Sequence, residues 1–101
     1  MYIDLSTNPS KCHYMNILNE TMAIINESEE KENPLYVNIL NQLADLKQQV
    51  VEKRIITEWD DINERYTLGL IAIQEFEDND EMRDRLSDIF GGAVHYNELA
   101  D

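Results

Sequence analysis

The chain has 101 residues and carries 21 acidic against 8 basic side chains, a formal net charge of −13 at pH 7. This length suits one domain with its own hydrophobic core, so we expect residues 1–101 to form a single acidic domain. The charge disfavours direct binding to nucleic acid and to anionic membranes, both of which need Lys and Arg at the contact, and it favours a basic protein partner.

The first predicted helix covers residues 9–27. Asn8 is placed to cap it and Pro9 to occupy its first position, where a missing N–H is harmless. Apolar residues then recur at steps of three or four, as on one side of a helix: Cys12, Met15, Leu18, Met22 and Ile25. The following segment, NESEEKEN, is polar and acidic and predicts an exposed connector.

The second predicted helix begins after Asn33 and Pro34, which repeat the same opening pattern, and covers residues 35–56. Its apolar seam is Tyr36, Ile39, Leu43, Leu46 and Val50, and three further apolar residues widen that face: Leu35, Leu40 and Val51. Such breadth also suits a partner helix or a second copy of the chain, as in an assembly subunit or chaperone. Whether Ile55 and Ile56 interrupt this helix or join it to the next one is left open.

The third predicted element opens at Thr57, which with Asp60 imitates a capping box. Its apolar residues follow helical spacing: Trp59, Ile62, Tyr66, Ile73 and Phe76. We therefore expect them to be buried, and we expect Gly69 to allow a neighbouring helix to approach closely. Residues 66–73 also show partial alternation, so a strand remains an alternative there.

The fourth predicted helix covers about residues 80–90 and ends at Gly91 and Gly92, which readily adopt the left-handed conformation that terminates helices. Its apolar side is formed by Met82, Leu86, Ile89 and Phe90. In the tail that follows, Tyr96 is the aromatic residue expected to stay exposed. Together these elements predict an all-α protein, a small antiparallel bundle of three to four helices, with α+β as the alternative if residues 66–73 form a strand.

No segment of the sequence carries a recognisable catalytic, metal-binding or cofactor-binding motif. DNDEMRDRLSDI begins like a calcium loop, but Met82 and Arg83 occupy its fifth and sixth positions, where an oxygen ligand and a glycine are needed. Cys12, His13 and His95 match no zinc or di-metal spacing. We therefore predict a protein that is not an enzyme and uses no metal or cofactor, and we keep an enzyme or ligand carrier using those three residues as one hypothesis.

The single cysteine, Cys12, has no partner within the chain for a disulfide bond. The opening residues MYIDLSTNPS lack the basic and apolar regions of a signal peptide, and no apolar run reaches the length of a membrane span. These observations predict a cytoplasmic protein.

An acidic stripe is the most unusual feature of the sequence. Glu77, Glu81, Asp84 and Asp88 follow one another at steps of four, three and four, which places like charges on one side of a helix, at a cost of a few tenths of a kcal/mol per pair. Arg85 can pair with Glu81 and Arg83 with Asp80. We predict a partner-binding site formed by Glu77, Asp78, Asp80, Glu81, Asp84, Asp88 and Tyr96.

Two kinds of inhibitor fit this stripe. The first, which we favour, is an immunity-type protein that neutralises a basic partner such as a nuclease toxin. The second is a nucleic-acid mimic that occupies the groove of a DNA-binding or RNA-binding protein. Carboxylates three or four residues apart are separated by about 4.5 to 6 Å along a helix, which only approximates the spacing of phosphates at about 3.4 Å per strand.

Overall fold

A computed structural model describes residues 2–56 and 58–101. The fold contains α1 (Lys11–Glu27), α2 (Pro34–Leu46), α3 (Trp59–Arg65), α4 (Leu68–Glu75) and α5 (Glu81–Val94). Short 3₁₀ turns lie at Leu5–Thr7 and Tyr96–Glu98. The described residues contain no strand, only one isolated bridge between Ser10 and Ala100, so the all-α prediction is confirmed and the strand alternative at residues 66–73 is wrong.

Helix α1 begins two residues later than predicted. Ser10 is its cap and accepts a hydrogen bond from the backbone N–H of His13 at 3.1 Å, so the assignment of Asn8 and Pro9 as cap and first residue is wrong. The reason lies at the other end of the chain, because the Pro9 carbonyl accepts from the N–H of Ala100 and holds Pro9 outside the helix.

The buried side of α1 is rotated relative to the predicted seam. Its buried residues are Tyr14, Ile17, Leu18, Thr21 and Ile25. Cys12 is exposed, and Met15 and Met22 are only half-buried, so the seam is right at Leu18 and Ile25 and wrong at Cys12. Tyr14 has a large aromatic ring and is fully buried, and its burial sets which side of the helix faces inward.

Helix α2 starts and packs as predicted, but the helical structure ends at Glu52 and not at residue 56. Asn33 accepts from the N–H of Leu35 at 2.9 Å and Pro34 occupies the first turn. The predicted seam is buried at Ile39, Leu43, Leu46 and Val50. A π-helical segment (Lys47–Glu52) continues α2, and the chain then turns at Arg54, whose φ of 53° lies in the left-handed region. Helices α2 and α3 are therefore separate.

The third predicted element is two helices, because the chain is extended at Tyr66. Side chains of α2 satisfy the backbone at this interruption: Gln42 accepts from the N–H of Thr67 and donates to its hydroxyl, both at 2.8 Å. Ile62 and Tyr66 are buried as expected, but the predicted burial of Trp59 and Ile73 is wrong, since these residues are 55% and 56% exposed. The predicted capping role of Thr57 lies outside the described residues.

Helix α5 starts where predicted and ends later. Asp80 caps it by accepting from the N–H of Met82 at 2.9 Å. The predicted stop at Gly91 and Gly92 is wrong, because the helix continues through both residues to Val94. Gly92 instead allows α5 to approach α1: a Cβ at this position would overlap the ring of Tyr14.

Gly69 plays a similar role between α4 and α5, as predicted. A Cβ at Gly69 would lie 3.0 Å from the Phe90 ring, so the absence of a side chain lets Phe90 pack directly on the α4 backbone. Two glycines thus set the distance of α5 from its neighbours on two sides.

The first prediction compares the two adjacent glycines of α5. Gly92→Ala should destabilise the protein by about 1–3 kcal/mol, because Tyr14 is fully buried and cannot move away without repacking. Gly91→Ala is the control: nothing lies within 4 Å of its added methyl group, so it should be neutral or stabilise the helix by up to about 1 kcal/mol. Urea unfolding measures both, and equal effects of the two substitutions would contradict the close contact.

Candidate functional site: an acidic face and an apolar groove

The N-terminal segment lies against α5 and is held there by Asp88. This carboxylate accepts a hydrogen bond from the Tyr2 hydroxyl and another, at 3.1 Å, from the backbone N–H of Leu5. Leu5 is buried beside Gly92. One acid of the predicted stripe therefore fixes a segment more than eighty residues away in sequence.

Arg85 is the buried charge beneath this segment, with its side chain 7% exposed. Its guanidinium lies 4.7 Å from the centroid of the Tyr2 ring and donates to the hydroxyl of Thr21 at 3.3 Å. Two carboxylates compensate the charge: Glu81, one turn earlier on α5, at 3.5 Å, and Glu20 on α1 at 3.6 Å. The predicted pairing of Arg85 with Glu81 is confirmed.

These contacts assemble an acidic face from three parts of the chain. We define it as Asp4, Glu20, Glu81, Asp84 and Asp88. A cavity of about 310 Å³ opens on it between the N-terminal segment and α5, lined by Tyr2, Asp4, Ser6, Asp84, Ser87 and Asp88. Three carboxylates and three hydroxyl groups thus surround one concave space. Arg85 lines a neighbouring cavity, where its guanidinium is paired with Glu81 and Glu20.

A second cavity of about 300 Å³ adjoins the first and shares three lining residues with it: Ser6, Ser87 and Asp88. The remainder of its lining is mainly apolar and includes Leu5, Pro9 and Leu99. An acidic cavity beside an apolar one suits a Lys or Arg side chain, whose aliphatic stem packs on apolar groups while its charged end meets carboxylates.

Hydrogen bonding favours the charged form of Asp4, one of the five acids of this face. Hydrogen bonds from Thr7 and Ser6 lower the pKa of Asp4. Burial, reinforced by the hydrogen bond to Asp88, raises the pKa of Tyr2, so this hydroxyl stays protonated and continues to donate. The Nε2–H of His13 donates to the carbonyls of Ile3 and Asp4 and holds the segment from the α1 side.

The other predicted site residues have different surroundings. Glu77 is exposed and precedes α5, and Asp78 forms an ion pair with Arg83. Arg83 was expected to reach Asp80, but the Asp80 side chain caps α5 instead. The expected exposure of Tyr96 is wrong, because Tyr96 is 7% exposed.

The burial of Tyr96 follows from packing against the first helix. Its ring meets Tyr14 edge-on, with centroids 5.6 Å apart, and the ammonium of Lys11 lies 5.5 Å from its centroid. We therefore omit Tyr96 from the acidic face.

An apolar groove lies elsewhere on the molecule and was not predicted. It measures about 430 Å³ where α3, α4 and α5 meet, and its lining is Asn63, Tyr66, Thr67, Gly69, Leu70, Ile73 and Phe90. Leu70 and Ile73 are 51% and 56% exposed. The signal in the sequence was the run LGLIAI, which is apolar on every side of a helix, whereas a surface helix normally has one apolar stripe.

A polar cluster on α2 fixes one wall of this groove. Asp45 accepts two hydrogen bonds from Arg65, at 2.6 and 2.9 Å, and one from the hydroxyl of Tyr66 at 2.7 Å. The bonds from Arg65 are the main cause that lowers the pKa of Asp45. Tyr66 is thereby held with its ring at the base of the groove.

The soft side chains form no common centre. His95 lies within 2.9 Å of Glu98 through Nδ1, and Cys12 is an exposed residue at the start of α1. Among residues 2–56 and 58–101, no three side chains of His, Cys, Asp or Glu are arranged to hold a metal ion. None of the helices described above is both long and apolar enough to cross a bilayer.

The structure is that of a small all-helical protein with an acidic face and an apolar groove on its surface. Residues 13–95 match the Tsi6 family, an immunity-type family of type VI secretion, and the chain belongs to that family. The match runs from the first turn of α1 to the end of α5. No curated protein and no solved structure matches the chain. Membership implies that the protein is an immunity protein and that it binds a toxin.

The second prediction tests how Asp88 holds the N-terminal segment. Asp88→Ala should cost about 1–3 kcal/mol of stability, because it removes the acceptor of two hydrogen bonds. It should also accelerate hydrogen exchange at the Leu5 amide, measured by NMR. Asp84→Ala, on the same face but exposed, is the control and should change stability by less than about 0.5 kcal/mol. Unchanged protection of Leu5 in Asp88→Ala would contradict the anchoring.

The third prediction concerns the pH dependence of the Asp45 cluster. The pKa of Asp45 is lower in the folded protein than in the unfolded chain. At pH values between these two, the unfolded chain binds more protons than the folded protein, so the free energy of unfolding rises with pH over that range. Asp45→Asn should therefore be modestly less stable than the wild type at neutral pH, and the difference should begin to shrink as the pH falls below the ordinary value of 3.8 and continue to shrink toward the lowered pKa of the folded protein. Thermal unfolding across pH 2–7 measures it, with the exposed Asp61→Asn as control. A difference that stays constant from pH 7 to pH 2 would contradict the assignment.

Proposed function

We propose that this immunity protein neutralises a basic toxin, such as a nuclease, by placing its acidic face on the toxin's cationic surface. The observation that carries the proposal is the acidic cavity, where Asp4, Asp84 and Asp88 converge on one concave space. Binding alone accounts for inhibition, and the protein acts without catalysis. A cytoplasmic location, where it would meet the toxin, is part of the same proposal.

The chemistry of the contact follows from the two adjoining cavities. A Lys or Arg of the toxin enters with its charged group near Asp84 and Asp88 and its stem beside Leu5 and Leu99. Carboxylates that are already held in place by Tyr2, Thr7 and Leu5 lose little freedom on binding, which favours affinity. The excess negative charge also accelerates encounter with a basic partner.

The arrangement supports a local acidic face better than mimicry of a nucleic-acid backbone. A mimic presents a regular track of free anions, but Glu81 faces Arg85 and Asp88 is bound by Tyr2 and Leu5. Two members of the four-residue stripe are thus engaged inside the molecule. Glu77 and Asp84 are the members with no side-chain bond in the described part of the chain, and we include Glu77 and Asp78 as outlying parts of the toxin contact.

The fourth prediction tests the acidic face by charge reversal. Glu77→Lys/Asp84→Lys changes two exposed acids that hold no observed side-chain bond in the described part of the chain, so folding should be retained. Affinity for the purified toxin should fall by about a hundredfold at low salt, the range measured for close charge pairs across interfaces. The toxin is obtained by pull-down from the native host or from an adjacent gene, and calorimetry measures binding.

The control variant carries the same change in net charge at another place. Glu29→Lys/Glu32→Lys alters the exposed connector between α1 and α2 and should bind within a few-fold of the wild type. For the wild type, affinity should fall steeply between 50 and 500 mM salt, because exposed charges are screened. Full affinity in Glu77→Lys/Asp84→Lys, or an equal loss in both variants, would reject the proposal.

A further inference from the structure

The apolar groove lies apart from the acidic face. Asp88 and Phe90 are two residues apart on α5, which places them about 160° apart around the helix axis. Asp88 faces the N-terminal segment, whereas Phe90 lines the groove with Leu70 and Ile73. A single contiguous surface of a partner that covers the acidic face therefore does not also cover the groove.

Helix α4 is apolar on the side that faces the groove as well as on the side that faces the core. Leu68, Ile71 and Ala72 are buried, while Leu70 and Ile73 are more than half exposed. A helix apolar all round is normally buried all round. Covering the exposed side of α4 would therefore remove Leu70 and Ile73 from water, which is favourable.

The sole tryptophan extends this surface by one turn. Trp59 precedes Asn63 by four residues on α3, so both lie on the same side of that helix, and Asn63 lines the groove. Trp59 is 55% exposed. Tryptophan is the residue type most enriched among those that dominate binding energy at interfaces.

The charges beside the groove indicate what covers it. None of its lining residues is charged, but residues 58–80, which carry α3 and α4, contain eight acids and one base. That base, Arg65, is already bound to Asp45. A second copy of the chain would bring two such acidic segments, each on a chain of net charge −13, together, so charge complementarity favours an occupant with apolar side chains flanked by Lys and Arg.

We infer that the groove binds a basic amphipathic segment of the toxin, separate from the cationic surface that meets the acidic face, with an apolar side chain seated between Leu70, Ile73 and Phe90. The inference rests on the proposed function for its partner and adds a second contact. Two contacts on different sides of α5 give a tighter complex than either alone, since the second forms at high effective concentration.

The test uses the purified toxin and two matched double variants. Leu70→Ser/Ile73→Ser removes exposed apolar surface from the groove without changing charge, and should weaken binding by at least about tenfold. Because the lost contact is apolar, the ratio of the variant's Kd to the wild-type Kd should be similar at 50 and 500 mM salt. The loss of affinity on charge reversal should instead depend on salt. Ile24→Ser/Val37→Ser, at comparably exposed apolar positions on α1 and α2, should bind like the wild type.

A spectroscopic measurement locates the contact directly. With 5-fluorotryptophan incorporated in this protein alone, the single ¹⁹F resonance of Trp59 should shift on addition of toxin, and the shift should be reduced in Leu70→Ser/Ile73→Ser. Wild-type affinity in that variant together with an unmoved resonance would overturn the inference. A wild-type dimer that Leu70→Ser/Ile73→Ser converts to a monomer in sedimentation would also overturn it, because the occupant would then be a second copy.

The outcomes separate this inference from the proposed function. Loss of binding on charge reversal, with wild-type affinity in the groove variant and an unmoved Trp59 resonance, retains the acidic face and rejects the groove. If the groove variant loses affinity for the toxin equally at low and high salt, and charge reversal leaves affinity unchanged, the groove is retained and the acidic face is rejected.

Discussion

The burial of Arg85 is the constraint on which the acidic surface depends. A guanidinium removed from water is costly unless opposite charges and acceptors surround it. Here Glu81 comes from α5, Glu20 and Thr21 come from α1, and the ring of Tyr2 covers the group from the N-terminal segment. One cation therefore ties three parts of the chain together and draws their carboxylates to one side of the molecule.

The acidic stripe is tolerated because two of its members have partners: Glu81 lies 3.5 Å from Arg85, and Asp88 accepts from Tyr2 and Leu5. Two neighbouring acids are also engaged, since Asp80 caps α5 and Asp78 is paired with Arg83. Each such contact offsets part of the repulsion between neighbours three or four residues apart. What remains exposed is a smaller group of acids held on a buried scaffold, which is the arrangement that suits recognition of a cationic surface.

Local sequence signals predicted the parts of the fold that depend on local interactions. Asn33 with Pro34 set the start of α2, Asp80 sets the start of α5, and helical spacing identified Ile39, Leu43 and Leu46 as core. The failures are positions decided by distant partners. Gly92 lies inside α5 because the Tyr14 ring needs its space, and Tyr96 is buried because Tyr14 packs against it.

The same distinction applies to the candidate site. The acids of α5 could be read from their spacing, and so could the pairing of Arg85 with Glu81. The contributions of Tyr2, Asp4 and Glu20 could not, because no pattern in the sequence places the N-terminal segment and α1 beside α5. The apolar groove could not be predicted from the sequence for a related reason, because the exposure of Leu70 and Ile73 depends on how α3 and α5 flank α4.

The most direct measurement is hydrogen exchange of the protein with and without its toxin, followed residue by residue. Our account predicts that the complex gains protection at residues 2–6 and along the acid-bearing turns of α5, with toxin-dependent slowing at the Asp84 and Asp88 turns. Protection confined to the α1–α2 connector or to the outer side of α2, with the acidic face exchanging as in the free protein, would contradict it.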